Sequence, residues 1–167
     1  ESFAILTRIA EQDSRVRVLR FSRNFGYQAS ILTGYLNATG DAVVQLDCDL
    51  QDPPEMILKF VEHWEQGYQV VYGVRKRRQE GLAITLARRC FYRTINFLSE
   101  HPLPLDAGDF RLVDRRIVEE LRGVRDATPY LRGLIATFGF NQLGIEYERH
   151  ARQAGESKFS FSALTKL

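Results

Sequence analysis

The sequence predicts an α/β fold: a mainly parallel sheet covered by helices on both faces. Three observations carry that reading. Short runs of β-forming residues, such as Val43-Val44-Gln45-Leu46 and Gln69-Val70-Val71-Tyr72-Gly73-Val74, alternate with amphipathic helical stretches. The helical stripe Met56, Ile57, Phe60, Val61 and Trp64 lies between those two runs, as a crossover between parallel strands requires. With 167 residues and 44% hydrophobic content, one chain can bury one substantial core, so a single domain over 1–167 is expected.

Taken in order, residues 1–11 place Phe3, Leu6, Ile9 and Ala10 at helical spacing, with no cap or strand before them. Arg15-Val16-Arg17-Val18-Leu19-Arg20-Phe21 alternates charged and apolar residues and reads as a strand. Gly26 ends the following loop, and Tyr27 to Ala38, with Ile31, Leu32, Tyr35 and Leu36 along one side, reads as a helix. The run from Val43 then passes into Asp47-Cys48-Asp49-Leu50-Gln51-Asp52-Pro53-Pro54-Glu55. In an extended backbone Asp47 and Asp49 would share a face about 6–7 Å apart, with Cys48 turned away. Asp52 is placed to cap the next helix, whose first turn tolerates the two prolines, and that helix should stop at Gly67.

After Val74 comes the basic run Arg75-Lys76-Arg77-Arg78, and then residues 80–99, where Leu82 to Leu98 read as a basic amphipathic helix. It suits either packing on the core with solvated arginines or lying among anionic head groups at a membrane surface. Ala107 to Val113 reads as a strand, Asp114 as the cap of a helix from Arg115 to Arg122, Leu131 to Phe138 as a helix and Gly144 to Arg149 as extended chain. Residues 149–158 are basic and aperiodic, and Phe159 to Leu167 begins a last amphipathic helix.

Composition narrows the partners. Lysine and arginine number 23 against 21 acidic residues, so no global basic field argues for nucleic acid. Cys48 and Cys90 are far apart and fit free thiols better than a disulfide framework. No apolar run approaches the roughly 18–20 residues that a spanning helix needs. The chemistry concentrates at the acidic turn. Asp47 and Asp49, with the amide of Gln51 and a pyrophosphate, would supply the oxygen ligands that Mg2+ or Mn2+ prefers, although an Asp-X-Asp pair also occurs as a plain solvated turn.

Five ordered segments resemble glycosyltransferase family 2: Ser22-Arg23-Asn24-Phe25-Gly26, Gly40-Asp41 leading to Asp47 through Glu55, Gly73-Val74-Arg75, Gly108-Asp109-Phe110-Arg111, and Arg152 with Gly155-Glu156-Ser157-Lys158-Phe159. Within that family the set is similar to the polyprenyl-phosphate hexosyltransferases, the dolichol-phosphate mannose synthases and undecaprenyl-phosphate glucosyltransferases among them. The resemblance implies a GT-A fold, Rossmann-like in its nucleotide-diphospho-sugar site. The activity it implies is metal-dependent, inverting transfer of a hexose from a UDP- or GDP-sugar to polyprenyl phosphate at the cytoplasmic face of the cell membrane. By position Asp47 and Asp49 would contact the nucleotide donor and metal, Gln51 would join the metal ligands, and Asp109 would be the catalytic base or an orienting group. Arg75, Arg149, Arg152 and Lys158 would bind phosphate, the last three from a loop within 149–167 that closes over the site and leads to a juxtamembrane helix. Cys48 stands where alanine is usual between the two aspartates.

The family's first nucleoside-binding strands have no counterpart here, and many members carry transmembrane helices beyond the point that corresponds to Leu167. The sequence therefore reads as an N-terminally truncated piece of a longer catalytic domain, with weak nucleotide binding and some tendency to homo-oligomerise through exposed apolar surface. Two other functions fit the same residues: a non-catalytic membrane-associated interaction module that keeps the fold, and a soluble family 2 transferase acting on a glycan.

Overall fold

A computed structural model describes residues 2–75, 107–126 and 129–150. The basic helix expected over Leu82–Leu98, Cys90, Arg152, Lys158 and the last amphipathic helix lie outside the described residues. The described elements are α1 (Ser2–Gln12), α2 (Tyr27–Asn37), β1 (Ala42–Gln45), α3 (Met56–Glu65), β2 (Val70–Arg75), β3 (Ala107–Asp114), α4 (Arg115–Arg122), α5 (Leu131–Thr137) and β4 (Gln142–Tyr147).

The four strands form one sheet in the order β1-β3-β2-β4. β1 and β2 each pair antiparallel with β3, and β2 pairs parallel with β4. Three strands thus run one way, and β3 runs against them through the middle. The sheet is mixed rather than purely parallel, because β3 sits between two strands that both oppose it.

Side-chain alternation divides the core in two. Val43, Val70, Tyr72 and Val113 face α2, α4 and α5, where Tyr35, Ile117, Val118, Leu121, Leu131 and Ile135 are buried. The neighbouring residues Ala42, Val44, Val71 and Leu112 face α3, with Met56 and Phe60 at its centre. Phe60 is fully buried and packs on Phe110 with ring centroids 4.7 Å apart. A side chain of that kind stabilises the fold by roughly 1.5–3 kcal/mol through burial. The stripe read from periodicity in α3 is therefore the core face of a real helix.

The ends of α2 and α4 follow local chemistry, and the cap expected for α3 is the exception. Asp114 caps α4 as expected, its carboxylate accepting from the Arg116 backbone N–H at 2.9 Å. Gly26 precedes α2 at φ 90°, a backbone region that L side chains rarely adopt, and the Asn24 side chain accepts from its N–H at 2.8 Å. The exception is Asp52. α3 begins after Glu55, no side chain caps it, and the Met56 and Ile57 N–H groups bond to the Pro53 and Pro54 carbonyls. Asp52 is instead turned into the protein, where Tyr147 and Arg149 claim its carboxylate.

Two other expectations change. Residues 15–21 form no strand, because among the described residues β1 has β3 on one side and nothing hydrogen-bonded on the other. That segment is tied down by side chains, such as Arg17 donating to the Asn37 carbonyl at 2.8 Å. β1 ends at Gln45, so Asp47 and Asp49 belong to a turn, with Leu50 at φ 56°, rather than to one face of a strand.

Candidate active site at the carboxyl ends of the strands

The central position of β3 decides which residues meet. Because it runs antiparallel, its first residues lie beside the carboxyl ends of β1 and β2, at the end of the sheet where β4 also finishes. Asp109, near the start of β3, therefore reaches the turn that carries Asp47 after β1. The β2–β3 register shifts between Tyr72 and Val74, at the level where Gly108 approaches the Gly73 carbonyl. Such irregularities re-aim a side chain at the end of a sheet.

On the face covered by α2 and α5, the two carboxylates share a tyrosine. The Tyr27 hydroxyl lies 3.2 Å from Asp47 Oδ1 and 3.4 Å from Asp109 Oδ2, so its single proton can serve either. Gln45 Nε2 donates to the Tyr27 oxygen at 3.3 Å, and the Tyr35 hydroxyl donates to Gln45 Oε1 at 3.0 Å. The other oxygen of Asp109 is held by Arg132 Nη2 at 3.1 Å. Gln28 of α2 accepts from the Leu131 N–H at 3.2 Å, fixing the start of α5 and so the base of Arg132. Arg111 lies beneath them, only 4% exposed, its Nη2 donating to the Gly108 carbonyl at 2.9 Å. The Nε groups of Arg111 and Arg132 are buried without a partner.

Charge accumulates at this end. Burial raises the Asp47 carboxyl above the usual range; the Tyr27 hydrogen bond opposes that shift, and the charges of Asp49, Asp109 and Asp52 add to it. Burial also raises the Tyr27 hydroxyl, with Asp109 and Asp47 pushing in the same sense, so Tyr27 remains a donor at neutral pH.

On the α3 face the arrangement is basic around one buried acid. Asp52, 2% exposed, accepts from the Tyr147 hydroxyl and, at 3.0 Å, from Arg149 Nε. Arg149 Nη2 also lies 3.8 Å from Asp49 Oδ2. Arg75, opposite Tyr147 in the parallel ladder, hydrogen-bonds to the Tyr147 oxygen. Burial opposes the charge on Arg75, but that bond and the nearby Asp52 and Asp109 outweigh it and raise its pKa. Main-chain contact joins the two loops: the His150 N–H donates to the Gln51 carbonyl at 2.9 Å, and the Gln51 amide reaches the His150 carbonyl at 3.5 Å.

Of the residues expected from sequence, Asp47, Asp49, Gln51, Arg75, Asp109 and Arg149 thus lie around one end of the sheet. The Gln51 amide nitrogen is directed to a backbone carbonyl. Among the described residues no group of three or more His, Cys, Asp and Glu side chains is set to hold a metal ion. The donors at hand are oxygens of a crowded acidic turn, which suits a hard divalent cation that completes its shell with phosphate and water. Tyr27, Arg132 and Tyr147 gather at this end although sequence reasoning missed them, and Asp52, inside the acidic motif, was read as a helix cap instead. Only Tyr27 carried a signal, a phenol placed directly after the glycine that starts α2.

Residues 1–122 match the family model described as glycosyl transferase family 2. The chain belongs to that family, and its sheet with helices on both faces is the GT-A-type α/β arrangement. It is 42% identical over 99% of its length to the uncharacterized glycosyltransferase YkcC of Bacillus subtilis strain 168, covering 52% of that protein. It is also 34% identical, over 94% of its length, to the bactoprenol glucosyl transferase of Shigella phage SfX, again covering 52% of the relative. The chain spans about half the length of the curated relatives it matches.

Proposed function

We propose that the protein containing this chain transfers a hexose from a UDP- or GDP-sugar to polyprenyl phosphate at a membrane surface, with inversion at the sugar. The observation that carries this reading is the meeting of Asp47, Asp49 and Asp109 with Arg75 and Arg149 at the carboxyl ends of the strands, where open α/β sheets bind ligands. A relative named as a bactoprenol glucosyl transferase supports a lipid-linked acceptor.

In this reaction an oxygen of the acceptor phosphate forms a bond to the anomeric carbon while the bond from that carbon to the nucleoside diphosphate breaks. Asp47 and Asp49, with Gln51, would hold Mg2+ or Mn2+, which when bound supplies positive charge to the leaving diphosphate. Arg75 and Arg149 would add charge from the α3 face, joined by Arg152 and Lys158. A phosphate monoester, with a second pKa of about 6, is largely ionised at neutral pH, so the acceptor has little need of a base. Asp109, fixed by Arg132 and Tyr27, then orients the reacting groups. The basic segment Leu82–Leu98 would rest on the membrane.

The test is an assay of the whole protein with UDP-glucose or GDP-mannose, undecaprenyl phosphate and Mn2+. Transfer of label to the lipid that EDTA abolishes is the expected result. A whole protein with neither nucleotide affinity nor transfer would instead be the interaction module.

A further inference from the structure

Resting on the reading of Arg75 and Arg149 as phosphate-binding residues, we infer that Asp52 and Tyr147 are positioning residues that hold those two arginines at the site. The path is continuous. Arg75 donates to the Tyr147 oxygen, the Tyr147 hydroxyl donates to Asp52, and Asp52 accepts from Arg149, which also reaches Asp49. One buried carboxylate therefore ties together the ends of β2 and β4 and the acidic turn after β1.

The sheet is shaped to admit this path. A Cβ at Gly73 would meet the Tyr147 ring at 2.6 Å, so the ring crosses β2 where glycine leaves room for it. Phe110 meets the same ring edge-on, with centroids 5.9 Å apart. With ring and backbone fixed, the phenol is delivered to Asp52 on one side and Arg75 on the other. Gly73 and Arg75 then belong to one device: the first makes space for the tyrosine that holds the second. The same geometry explains why Asp52 does not cap α3, since both of its carboxylate partners come from the other end of the chain.

Long guanidinium side chains lose considerable rotamer freedom when they bind an anion. An arginine already fixed by an internal hydrogen bond has less to lose, which strengthens phosphate binding without a new contact. A merely structural Asp52 would support folding and leave phosphate affinity unchanged.

The experiment is a calorimetric titration of the whole protein with inorganic pyrophosphate in Mn2+, which is independent of the nucleotide base. Asp52→Asn and, as a variant that keeps the ring packing, Tyr147→Phe should each weaken binding roughly 10-fold. In a background of Arg75→Ala with Arg149→Ala the same substitutions should add almost nothing. Weakening of equal size in both backgrounds, or a lowered melting temperature with unchanged affinity, overturns the inference. If Arg75→Ala and Arg149→Ala themselves leave pyrophosphate affinity intact, the phosphate reading fails. If they weaken it while Asp52→Asn and Tyr147→Phe do not, the positioning inference alone fails.

Discussion

The two faces of the sheet end use the same side chain for opposite purposes. On the α3 face, Asp52 is buried and its charge is answered by Tyr147 and Arg149 from the same chain. On the α2 and α5 face, Asp47 and Asp109 are only partly buried and share one phenol between them. A buried carboxylate with its own cation is part of the frame, because moving it would leave charges unpaired in a low dielectric. A half-open pair of carboxylates joined through one phenol, with only Asp109 answered by a partly exposed arginine, Arg132, is a place where an external cation or a polar ligand gains most. The difference lies in satisfaction and not in residue type, and it separates scaffold from site within about one turn of chain.

The largest expected effect breaks the open side. Asp109→Asn keeps the shape but weakens the pair with Arg132, and should lower turnover of the whole protein by roughly 100- to 10,000-fold, the range for loss of a positioned acid–base or orienting group. Its unfolding midpoint in urea should stay close to that of the parent. Near-normal turnover would remove Asp109 from the reaction altogether. Asp52→Ala should behave the other way round as to stability, costing about 3 kcal/mol in urea unfolding, at the low end for a broken buried pair because Arg149 is partly exposed. If Asp52→Ala were neutral in unfolding, the contrast between the two faces would collapse.

How much of this was legible in the sequence depends on distance along the chain. The helices α2, α3 and α4 could be read because burial on one side imposes a 3.6-residue period, and Asp114 could be assigned as a cap because its partner is two residues away. Asp47, Asp49, Arg75 and Asp109 stand in the motif segments and Arg149 in the basic loop that follows, and the structure brings all five to one end of the sheet. Their partners were not legible. Tyr27 and Asp109 are 82 residues apart, and Tyr147 and Asp52 are 95 apart, and only the antiparallel insertion of β3 and the parallel addition of β4 bring them together. Asp52 was misread for the same reason: capping is a local explanation, and the long-range partners won. Residues 15–21 carry a strand pattern without a strand, since alternation states which side chains would face inward and cannot supply a neighbour for hydrogen bonding.

A smaller effect probes the joint between the faces. Gly73→Ala would place a methyl group against the Tyr147 ring, and overpacking of that kind costs about 1–3 kcal/mol. If the ring yields, the bond from Tyr147 to Asp52 goes with it, so Gly73→Ala should also weaken pyrophosphate binding by the whole protein. Loss of stability with full affinity would show that the ring gives way without moving the phenol.

The smallest effect lies away from the site and calibrates the comparison, because Asp114 is a carboxylate whose role is purely structural. Burial pulls its pKa up, but hydrogen bonds from the Arg116 side chain and backbone and from the Trp64 indole, at 2.8 Å, hold it below the ordinary value. A carboxylate with a depressed folded pKa stabilises the protein at pH values above its unfolded pKa of about 4, and that contribution is lost as pH falls through the lower folded value. The native protein should thus lose about 1 kcal/mol between pH 6 and pH 2.5 that Asp114→Asn does not lose, on the scale of one helix cap. Trp64 is the one tryptophan of the chain and touches the group being titrated, so its fluorescence reports both the unfolding and the change at the carboxylate. An identical acid dependence in the two proteins would mean that the bonds from Arg116 and Trp64 do not depend on the charge of Asp114. In that case a neutral side chain of the same shape serves equally well at this cap, and the charge of a carboxylate matters at the sheet end and not here.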